Sequence, residues 1–404
     1  MRFLTLSPYS RGHGAYERHR RMARALIAAG HEVVWMAPGL DFPAGETFVP
    51  VPPSHRWLRG PLRWVARVWS LLNTRKDLLH GVDAVFTVSE YDAFALLTHR
   101  DAARIPHLFF QRGDTIACEQ YHAANAVRLD RRLKSRLLLT WYPKMQDMVM
   151  RRVTGIVVQA PFLGDDLRRR LGKLTCPVIT LPNDSVFEWS PEPADPTLTA
   201  QLDRHRAKDG MLIGMVAQAF WKGKGFDLFL DVMARLKHEP SLRAVIIGYG
   251  EDEGLIQPAI ERLGLGEQVL FLGRVGAARA LMPQLDLVVV PTRFPDACPN
   301  VVLEAMEAGN MILASDIPAH QWQLADPELM FPNGDADALA ARIMELSAPD
   351  RRQANRAAVA KRRDFFKFDW DARVATLLES HAKGTLSAHA DPLFWAEAPH
   401  ARPI

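Results

Sequence analysis

The sequence predicts an α/β protein with two doubly wound domains, and three observations lead to this prediction. The 404 residues exceed what one ordinary hydrophobic core holds. Short apolar runs alternate with helical patterns in both halves, as in domains built on parallel sheets. A Pro-rich, charged stretch at about 184–210 separates the halves and predicts a linker. We therefore expect an N-terminal domain over residues 1–184 and a second domain over 185–364.

The first half opens with a βαβ pattern. A loop carrying Gly12 and Gly14 stands between the first predicted strand and the helix, where glycine lets a backbone approach a ligand. The predicted elements are the strand Arg2–Ser7, a helix from about Ala15 to Ala29, and the strands Glu32–Ala37, Ala84–Val88, Leu108–Phe110, Gly155–Gln159 and Val178–Leu181.

The second half repeats this alternation of strands and helices. Strands are predicted at Leu212–Val216, Ala244–Ile247, Val269–Leu272, Leu287–Val290 and Met311–Ala314. Helices are predicted at Phe226–His238, Glu253–Leu263, Asn300–Ala308, Asp335–Leu346 and, as one long stretch, Arg351–Ala382.

The segment 291–316 is the most informative part of the chain. A buried strand leads into a loop and then a helix, with Pro299 suited to the first turn. The start of such a helix, at the carboxyl edge of a parallel sheet, binds anionic ligands. We expect the backbone N–H groups of Asn300, Val301 and Val302 to hold a phosphate. Glu304, one turn into the helix, is placed to bind a ribose, and Asp296 to bind sugar hydroxyls.

The string DACPNVVLEAMEAG, residues 296–309, resembles the donor-site motif of family 4 of the retaining glycosyltransferases. That motif often has the form E-G-x-P-N-V-x-x-E-A-M-A-x-G. This chain has Asp296 for the usual Glu, Ala297 for the usual Gly, and Asn310-Met311 where a Pro usually follows the glycine. Aspartate keeps the charge but shortens its reach by about 1.5 Å.

The resemblance implies a GT-B fold, in which two Rossmann-like doubly wound domains face each other across a cleft. It also implies that residues 365–404 form a helix crossing back to the first domain, followed by a tail. The implied activity is retaining, metal-independent transfer of a sugar from a nucleotide-sugar to a hydroxyl acceptor, in glycan or glycolipid assembly. The nucleotide-sugar is then a substrate, and no cofactor is expected. The partners would be that donor and a glycan or lipid-linked acceptor.

Further site residues are carried over from the family. In QAFWKGKGFD, residues 218–227, Lys224 matches the lysine that grips the donor diphosphate. We assign catalytic roles to Lys224, Asp296 and Glu304. Gln218 stands near the family's usual arginine, which leaves Lys222 as the alternative second cation. The predicted donor-binding residues are Gly14, Gln218, Lys222, Gly250, Pro299, Asn300, Val301 and Glu304.

The first domain offers fewer candidates. His13 in the glycine loop, and Arg112 and Asp114 after a mid-domain strand, are candidates for contact with the sugar or acceptor. Family 4 commonly has a histidine after that strand, where this chain has Gln111 and Arg112, so no catalytic histidine is assigned. Ordinary loop charges are the alternative explanation for Arg112 and Asp114.

Charge and cysteine usage bear on the partners and the compartment. Residues 1–190 contain 27 Lys and Arg against 17 Asp and Glu, whereas residues 191–404 contain 23 against 29. A basic half favours an anionic partner. The three cysteines are isolated, which fits a reducing cytoplasm. Nothing pairs the basic residues with a nucleic-acid reader, so no nucleic-acid partner is expected.

The basic segment 56–76 predicts an amphipathic helix with arginines opposite an apolar face. It resembles a helix in a membrane interface, so an anionic membrane surface is a further candidate partner, with the protein on the cytoplasmic face. The second basic stretch, 128–144, would extend that surface. The alternative is a helix packed on its own domain. The residues concerned are Leu62, Arg63, Trp64, Val65, Arg67, Val68, Trp69 and Leu72.

Two other functions compete with sugar transfer. One is a GT-B sugar phosphorylase or nucleotide-sugar epimerase. The other is a catalytically inactive relative that serves as a binding subunit, in view of Asp296, Gln218 and the missing histidine. Hydrolysis of a nucleotide-sugar would separate an active enzyme from an inactive binding protein.

Overall fold

The computed structural model describes residues 1–7, 14–38, 47–55, 60–185, 193–276 and 278–386. Contacts between residues divide the chain into two compact units. The N-terminal unit comprises Met1–Gly113, Trp141–Pro182 and the chain from Asp369 onward. The C-terminal unit comprises Asp114–Thr140 and Asn183–Phe368. Of the sequence-predicted site residues, His13 lies outside the described part of the chain.

A seven-stranded parallel sheet forms the centre of the N-terminal unit. Its strands, in spatial order β3-β2-β1-β4-β5-β6-β7, are buried through most of their length, as strands covered on both faces must be. The strands are β1 (Arg2–Leu6), β2 (Glu32–Ala37), β3 (Thr47–Pro50), β4 (Ala84–Thr87), β5 (His107–Gln111), β6 (Gly155–Val158) and β7 (Val178–Thr180). The order reverses beside β1, which is the point where doubly wound sheets bind ligands.

Helices connect these strands and pack on the sheet. They are α1 (Gly14–Ala28), α2 (Gly60–Thr74), α3 (Glu90–Leu97), α6 (Tyr142–Arg152) and α7 (Pro161–Leu171). A last helix, α16 (Trp370–Ala382), packs on α1 of the same unit. Arg21 Nε donates to Asp371 Oδ1 at 2.8 Å, and the Arg21 guanidinium lies 4.8 Å from the ring centre of Trp370.

The helix predicted as a membrane surface packs instead on its own unit. Trp64 is buried in the core that includes β1 and β2, and its Nε1 donates to Asp92 Oδ1 at 2.6 Å. Arg67 donates to the carbonyl oxygens of Val51 and Pro52. The expectation that Trp64 contacts a membrane is therefore wrong, because the ring is buried in the core of the N-terminal unit.

The C-terminal unit is built on a six-stranded parallel sheet in the order β10-β9-β8-β11-β12-β13. The strands are β8 (Met211–Val216), β9 (Leu242–Ile247), β10 (Val269–Gly273), β11 (Leu287–Val290), β12 (Met311–Ser315) and β13 (Met330–Phe331). Every strand pair in both sheets is parallel. The prediction of two doubly wound α/β domains is confirmed.

The short helices α11 and α13 were not predicted, and three further differences from the predicted elements concern the domain organisation. The segment proposed as linker contains a helix, α8, whose Leu202 is buried in the core. The long stretch predicted over 351–382 is broken, because Asp369 caps a new helix by accepting from the Ala372 N–H at 2.9 Å. The helices are α8 (Pro196–His205), α9 (Phe226–Arg235), α10 (Ile256–Arg262), α11 (Ala278–Leu281), α12 (Asn300–Ala308), α13 (Pro318–Leu324), α14 (Ala336–Glu345) and α15 (Pro349–Phe365).

The third difference is a helical hairpin formed by α4 (Thr115–Asn125) and α5 (Leu129–Leu139). It follows β5 of the first sheet in sequence and lies within the predicted first domain, yet its contacts place it in the C-terminal unit. Cys118 Sγ approaches the carbonyl oxygen of Pro295 at 3.3 Å, and the Tyr121 ring packs edge-on against Phe294. Nothing in the periodicity of the sequence indicates this assignment.

Among the described residues, no helix combines the length and the apolar composition needed to cross a membrane.

Candidate active site

The loop between β11 and α12 carries the motif singled out in the sequence. β11 lies between β8 and β12, and residues 291–299 lead from its carboxyl end to α12. Pro299 stands at the N-cap position, and no side chain caps the helix. A helix N-terminus without a capping side chain presents positive partial charge and backbone N–H donors. The predicted donor-binding residues Pro299, Asn300 and Val301 form this terminus. The prediction of a free N–H at Val302 is wrong, because that group donates to the carbonyl oxygen of Pro299 at 3.2 Å.

A second loop meets the first at the same edge of the sheet. It follows β8 and ends at Gly225, whose φ of 80° is a left-handed conformation. A Cβ at Gly225 would lie 2.1 Å from the carbonyl oxygen of Pro291, so only glycine fits between the two loops. This packing explains the Lys-Gly pair: the glycine lets the loops touch, and the lysine before it projects into the site.

Lys224 and Asp296 form a half-buried ion pair. Lys224 Nζ donates to Asp296 Oδ2 at 2.7 Å, and the backbone N–H of Ala297 donates to Asp296 Oδ1 at 3.0 Å. Burial opposes ionisation of Asp296, but the charge and hydrogen bond of Lys224 hold the pKa of this carboxyl below its usual value. The structure thus joins two residues to which the sequence analysis gave separate roles.

His320 completes this cluster and was missed by the sequence analysis. It lies on α13, is fully buried, and donates from Nδ1 to the carbonyl oxygen of Ser315 at 2.7 Å. Burial lowers the pKa of His320 to about 4, so the ring is neutral at pH 7. Asp296 and Lys224 both act on it electrostatically. A lone histidine after a strand carried no signal in one sequence.

The other predicted donor residues occupy different environments. Gln218 and Lys222 are exposed on the loop after β8. Gly250 packs against the backbone of Ala219, where an added Cβ would lie 2.9 Å from its nitrogen and oxygen. Close packing of loops is thus one reason for a glycine at this position. Gly14 is the first residue of α1, in the N-terminal unit.

Glu304 lies one turn into α12 and is half-buried. Arg279, on α11, is near enough for its charge to interact with Glu304 and Glu307. Burial lowers the pKa of Arg279, and these two carboxylates partly offset that effect. Glu304 therefore belongs to a small charged network on one side of the helix.

Asn183 contacts the start of α12 and the loop before it. Its Nδ2 donates to Asn300 Oδ1 at 2.8 Å and approaches the carbonyl oxygen of Cys298 at 3.3 Å. Asn183 belongs to the string LPND, residues 181–184, which ends where the predicted linker begins. Its observed contacts hold the loop 291–299 and α12 together.

Two candidates of the first half have local explanations. Asp114 caps α4 by accepting from the Ala117 N–H at 3.0 Å, which is a common reason for aspartate at this position. Arg112 follows β5 and is half-buried in the N-terminal unit. Burial, with a smaller contribution from the charge of Arg112, lowers the pKa of the buried His19 to about 3.

An aromatic cluster joins the α4–α5 hairpin to the loops that follow β8 and β11. Phe220 and Phe294 stack with ring centres 6.2 Å apart, and His122 approaches Phe294 at 5.1 Å. The Phe294 ring also lies 5.5 Å from Lys224 Nζ. A pocket opens beside this cluster, lined by residues that include Tyr121, Arg131, Lys222 and Glu251. The hairpin therefore supports the segment that carries Asp296.

Comparison with known proteins agrees with this geometry. Residues 14–183 match the model described as Glycosyltransferase Family 4, and residues 210–348 match the model described as Glycosyl transferases group 1. The chain belongs to glycosyltransferase family 4. The phosphatidyl-myo-inositol mannosyltransferase of Mycolicibacterium smegmatis is 29% identical over 160 residues. That alignment spans 38% of this chain and about two fifths (40%) of that relative.

Solved structures match this family 4 protein over most of its length. The sucrose-phosphate synthase of Thermosynechococcus elongatus superposes with a TM-score of 0.72 at 17% identity, covering 95% of this chain and 98% of that one. HepE of Anabaena, solved in complex with UDP, superposes with a TM-score of 0.69 at 16% identity, covering 95% and 100%. These likenesses, with the two parallel sheets, confirm the GT-B fold class.

Proposed function

We propose that this family 4 protein transfers a sugar from a nucleotide-sugar to a hydroxyl acceptor, with retention of anomeric configuration and without a metal ion. The observation that carries the proposal is the Lys224–Asp296 pair beside the uncapped start of α12. This arrangement places a fixed ammonium group, helix N–H donors and a carboxylate at one edge of a parallel sheet. These three kinds of group suit the charges and hydroxyls of a nucleoside diphosphate that bears a sugar.

The proposed chemistry assigns one task to each group. As the bond from the sugar to the diphosphate breaks, negative charge builds on the leaving phosphate oxygen. Lys224 and the N-terminus of α12 stabilise that charge in place of a metal ion. Asp296 holds the ammonium group in position through its 2.7 Å contact and faces the sugar. Glu304, one turn further along the helix, accepts hydrogen bonds from the ribose hydroxyls.

Retention follows, in this proposal, from attack on the same face that the diphosphate leaves. The departing phosphate oxygen takes the proton of the acceptor hydroxyl, so no protein nucleophile is needed. The acceptor is proposed to be a glycan or a lipid-linked sugar at the cytoplasmic face of a membrane. A lipid in the name of the mannosyltransferase relative supports a lipid-linked acceptor.

Nucleotide binding is the first test. Calorimetry with UDP, GDP and ADP should identify the base, and Glu304→Gln should then weaken binding by about 1.5–3 kcal/mol, the range for hydrogen bonds to a charged group. Glu307→Gln is the matched control, because Glu307 is exposed on the same helix and also interacts with Arg279. Equal losses in both variants would remove Glu304 from the ribose site.

Transfer is the second test. Incubation with nucleotide-sugars and a simple glycoside acceptor should give a product whose anomeric configuration, followed by NMR, matches that of the donor. EDTA should leave the rate largely unchanged. An inverted product, or a rate abolished by EDTA and restored by a divalent cation, would contradict the proposed chemistry. Nucleotide binding without transfer or hydrolysis of any donor would favour a binding subunit.

A further inference from the structure

The outer face of α5 exposes a row of leucines. Leu129, Leu133 and Leu137 are 68%, 55% and 68% exposed, and the fourfold spacing aligns them along one side of the helix. Val127, just before the helix, is 46% exposed. Scattered exposed leucines are ordinary, but a contiguous apolar row on a solvated helix marks an interaction surface. We name these four residues the α5 ridge.

The opposite face of α5 holds the helix in place without the ridge. Glu119, buried on α4, accepts from Ser135 Oγ at 2.6 Å and from Arg131 Nη2 at 3.0 Å. Arg132 donates to the carbonyl oxygen of Ala124 at 3.0 Å. No hydrophobic core described for the structure includes a ridge residue. Folding of the hairpin therefore gives no reason for leucines at these positions.

Basic residues border the ridge on both sides. At 100° per residue, Arg136 lies about 20° before Leu129, and Lys134 lies about 60° beyond Leu137. Both cations are exposed, and Arg128 is exposed at the start of the helix. The exposed acid of this helix, Asp130, is paired with Arg128 at 2.7 Å. Residues 127–144 contain six Lys and Arg against one Asp.

An apolar stripe bordered by cations is the pattern of a helix that lies in a membrane interface. Leucines enter the boundary between headgroups and acyl chains, while lysine and arginine contact anionic headgroups. A second protein chain or a second copy would also cover the leucines, but neither explains cations on both sides of the ridge. The charge pattern therefore favours a lipid surface.

We propose that the α5 ridge, with Lys134 and Arg136, docks this protein on an anionic bilayer. This inference deepens the proposed function, since it would bring a lipid-linked acceptor to the hairpin that supports the Asp296 loop. The docking itself requires no catalysis. It also assigns the membrane surface to the second of the two basic stretches predicted from the sequence, 128–144, rather than to α2.

Co-sedimentation of the full chain with vesicles tests the proposal. Vesicles of equal parts dioleoyl phosphatidylcholine and dioleoyl phosphatidylglycerol should bind the wild type, with release by high salt, whereas pure phosphatidylcholine should bind it weakly. Leu133→Ser with Leu137→Ser should weaken binding at least tenfold, because two leucines no longer enter the bilayer. Lys134→Glu with Arg136→Glu should weaken it at least twentyfold, given the contribution of each cation near an anionic surface.

Leu62→Ser is the matched control, because Leu62 is 61% exposed on the other basic helix, α2. It should bind vesicles as the wild type does. All variants should keep the wild-type melting temperature, since none of the changed side chains is buried. Equal binding by the wild type and both double variants would overturn the proposal. Failure of the wild type to bind anionic vesicles would also overturn it. A wild-type dimer that is lost in the Leu133→Ser, Leu137→Ser variant would overturn it as well.

A second readout separates this proposal from the proposed function. Transfer to a water-soluble acceptor should be the same in the wild type and the ridge variants, because the ridge lies outside the donor site. A wild type that binds vesicles through the ridge but transfers no sugar would remove the proposed function and leave the docking surface intact. An active enzyme whose vesicle binding does not depend on the ridge would remove the docking surface and leave the proposed function intact.

Discussion

Each unit has a junction between a strand and a helix at the same place in its sheet. The two junctions differ in the length of the loop and in the capping of the helix. β4 lies beside β1, and β11 lies beside β8, where β1 and β8 are the first strands of the two units in sequence. A helix follows each of β4 and β11. In the N-terminal unit two residues join β4 to α3, and Ser89 caps the helix by accepting from the Tyr91 N–H at 3.3 Å. In the C-terminal unit nine residues join β11 to α12, and no side chain caps that helix.

This difference separates a junction that serves folding from one that can bind a ligand. A cap satisfies the first N–H groups of α3 within the protein. At α12 the N-cap residue Pro299 offers no side-chain acceptor, and the loop before it carries Asp296, which is paired with Lys224. The two sheets share their strand order. The loop and the helix cap, and not the fold, therefore determine which junction can bind a ligand.

The largest expected effect is at the junction between β11 and α12. Lys224→Met should lower kcat by about 10²–10³-fold, the usual loss when one group that stabilises transition-state charge is removed. Methionine keeps much of the length of the side chain, so loss of charge is the main change. Steady-state kinetics with saturating donor measures the effect.

Lys222→Met provides the control for that variant, since Lys222 is an exposed cation on the same loop. It should lower kcat by much less. If Lys224→Met keeps a near-normal kcat and only raises KM, Lys224 binds the donor without acting on the transition state. In that case Asp296→Asn should raise KM as well, because it releases the same ammonium group.

The N-terminal unit differs from the C-terminal unit in its response to acid. Burial lowers the pKa of His19 and His107 to about 3, and that of His381 to about 4. A histidine with a lowered pKa in the fold takes up protons on unfolding, so stability falls as pH falls from about 6.5 toward the folded pKa. At pH 5.5 each such group costs about 1.4 kcal/mol.

Hydrogen exchange followed by mass spectrometry measures this difference between the units. Peptides of β1 and β5 should lose more protection between pH 7.5 and 5.5 than peptides of β12, after correction for intrinsic exchange rates. In the C-terminal unit His320 alone has a lowering of comparable size, to about 4, among the described residues. Smaller lowerings of the pKa of His99, His122 and His205 act in both units. Burial raises the pKa of Asp92 on α3, which acts in the opposite sense, so the comparison uses peptides of β1 and β5, which contact His19 and contain His107. Equal loss of protection in the two units would contradict the comparison.

The sequence predicted the sheets well because buried parallel strands are continuous apolar runs between loops. The runs at Leu287–Val290 and at Met311 onward appear as β11 and β12 nearly residue for residue. The ion pair was not predictable, because Lys224 and Asp296 are 72 positions apart and meet only through the packing of two loops. Asp114 looked like a ligand contact because a helix cap and a ligand contact use the same residue type.

The two basic helices show the limit of periodicity most directly. α2 and α5 both have an apolar side and a basic side, and one sequence does not tell which side meets the core. In α2 the tryptophan side packs on the sheet, with Trp64 bonded to Asp92. In α5 the leucine side is exposed, and the polar side is held by Glu119. That choice depends on buried polar partners contributed by other helices.

The smallest expected effect is at the junction between β4 and α3. Ser89→Ala should lower the free energy of unfolding by about 1 kcal/mol, the usual cost of losing a capping side chain, measured by urea denaturation followed through α3 and β4. Ser89→Thr keeps a hydroxyl acceptor and should recover most of the loss. Neither change should alter nucleotide affinity, in contrast to Glu304→Gln on α12. If both variants lost stability equally, packing of the buried Ser89 and not its cap would account for the effect, and the contrast between a capped and an uncapped helix would lose its energetic basis.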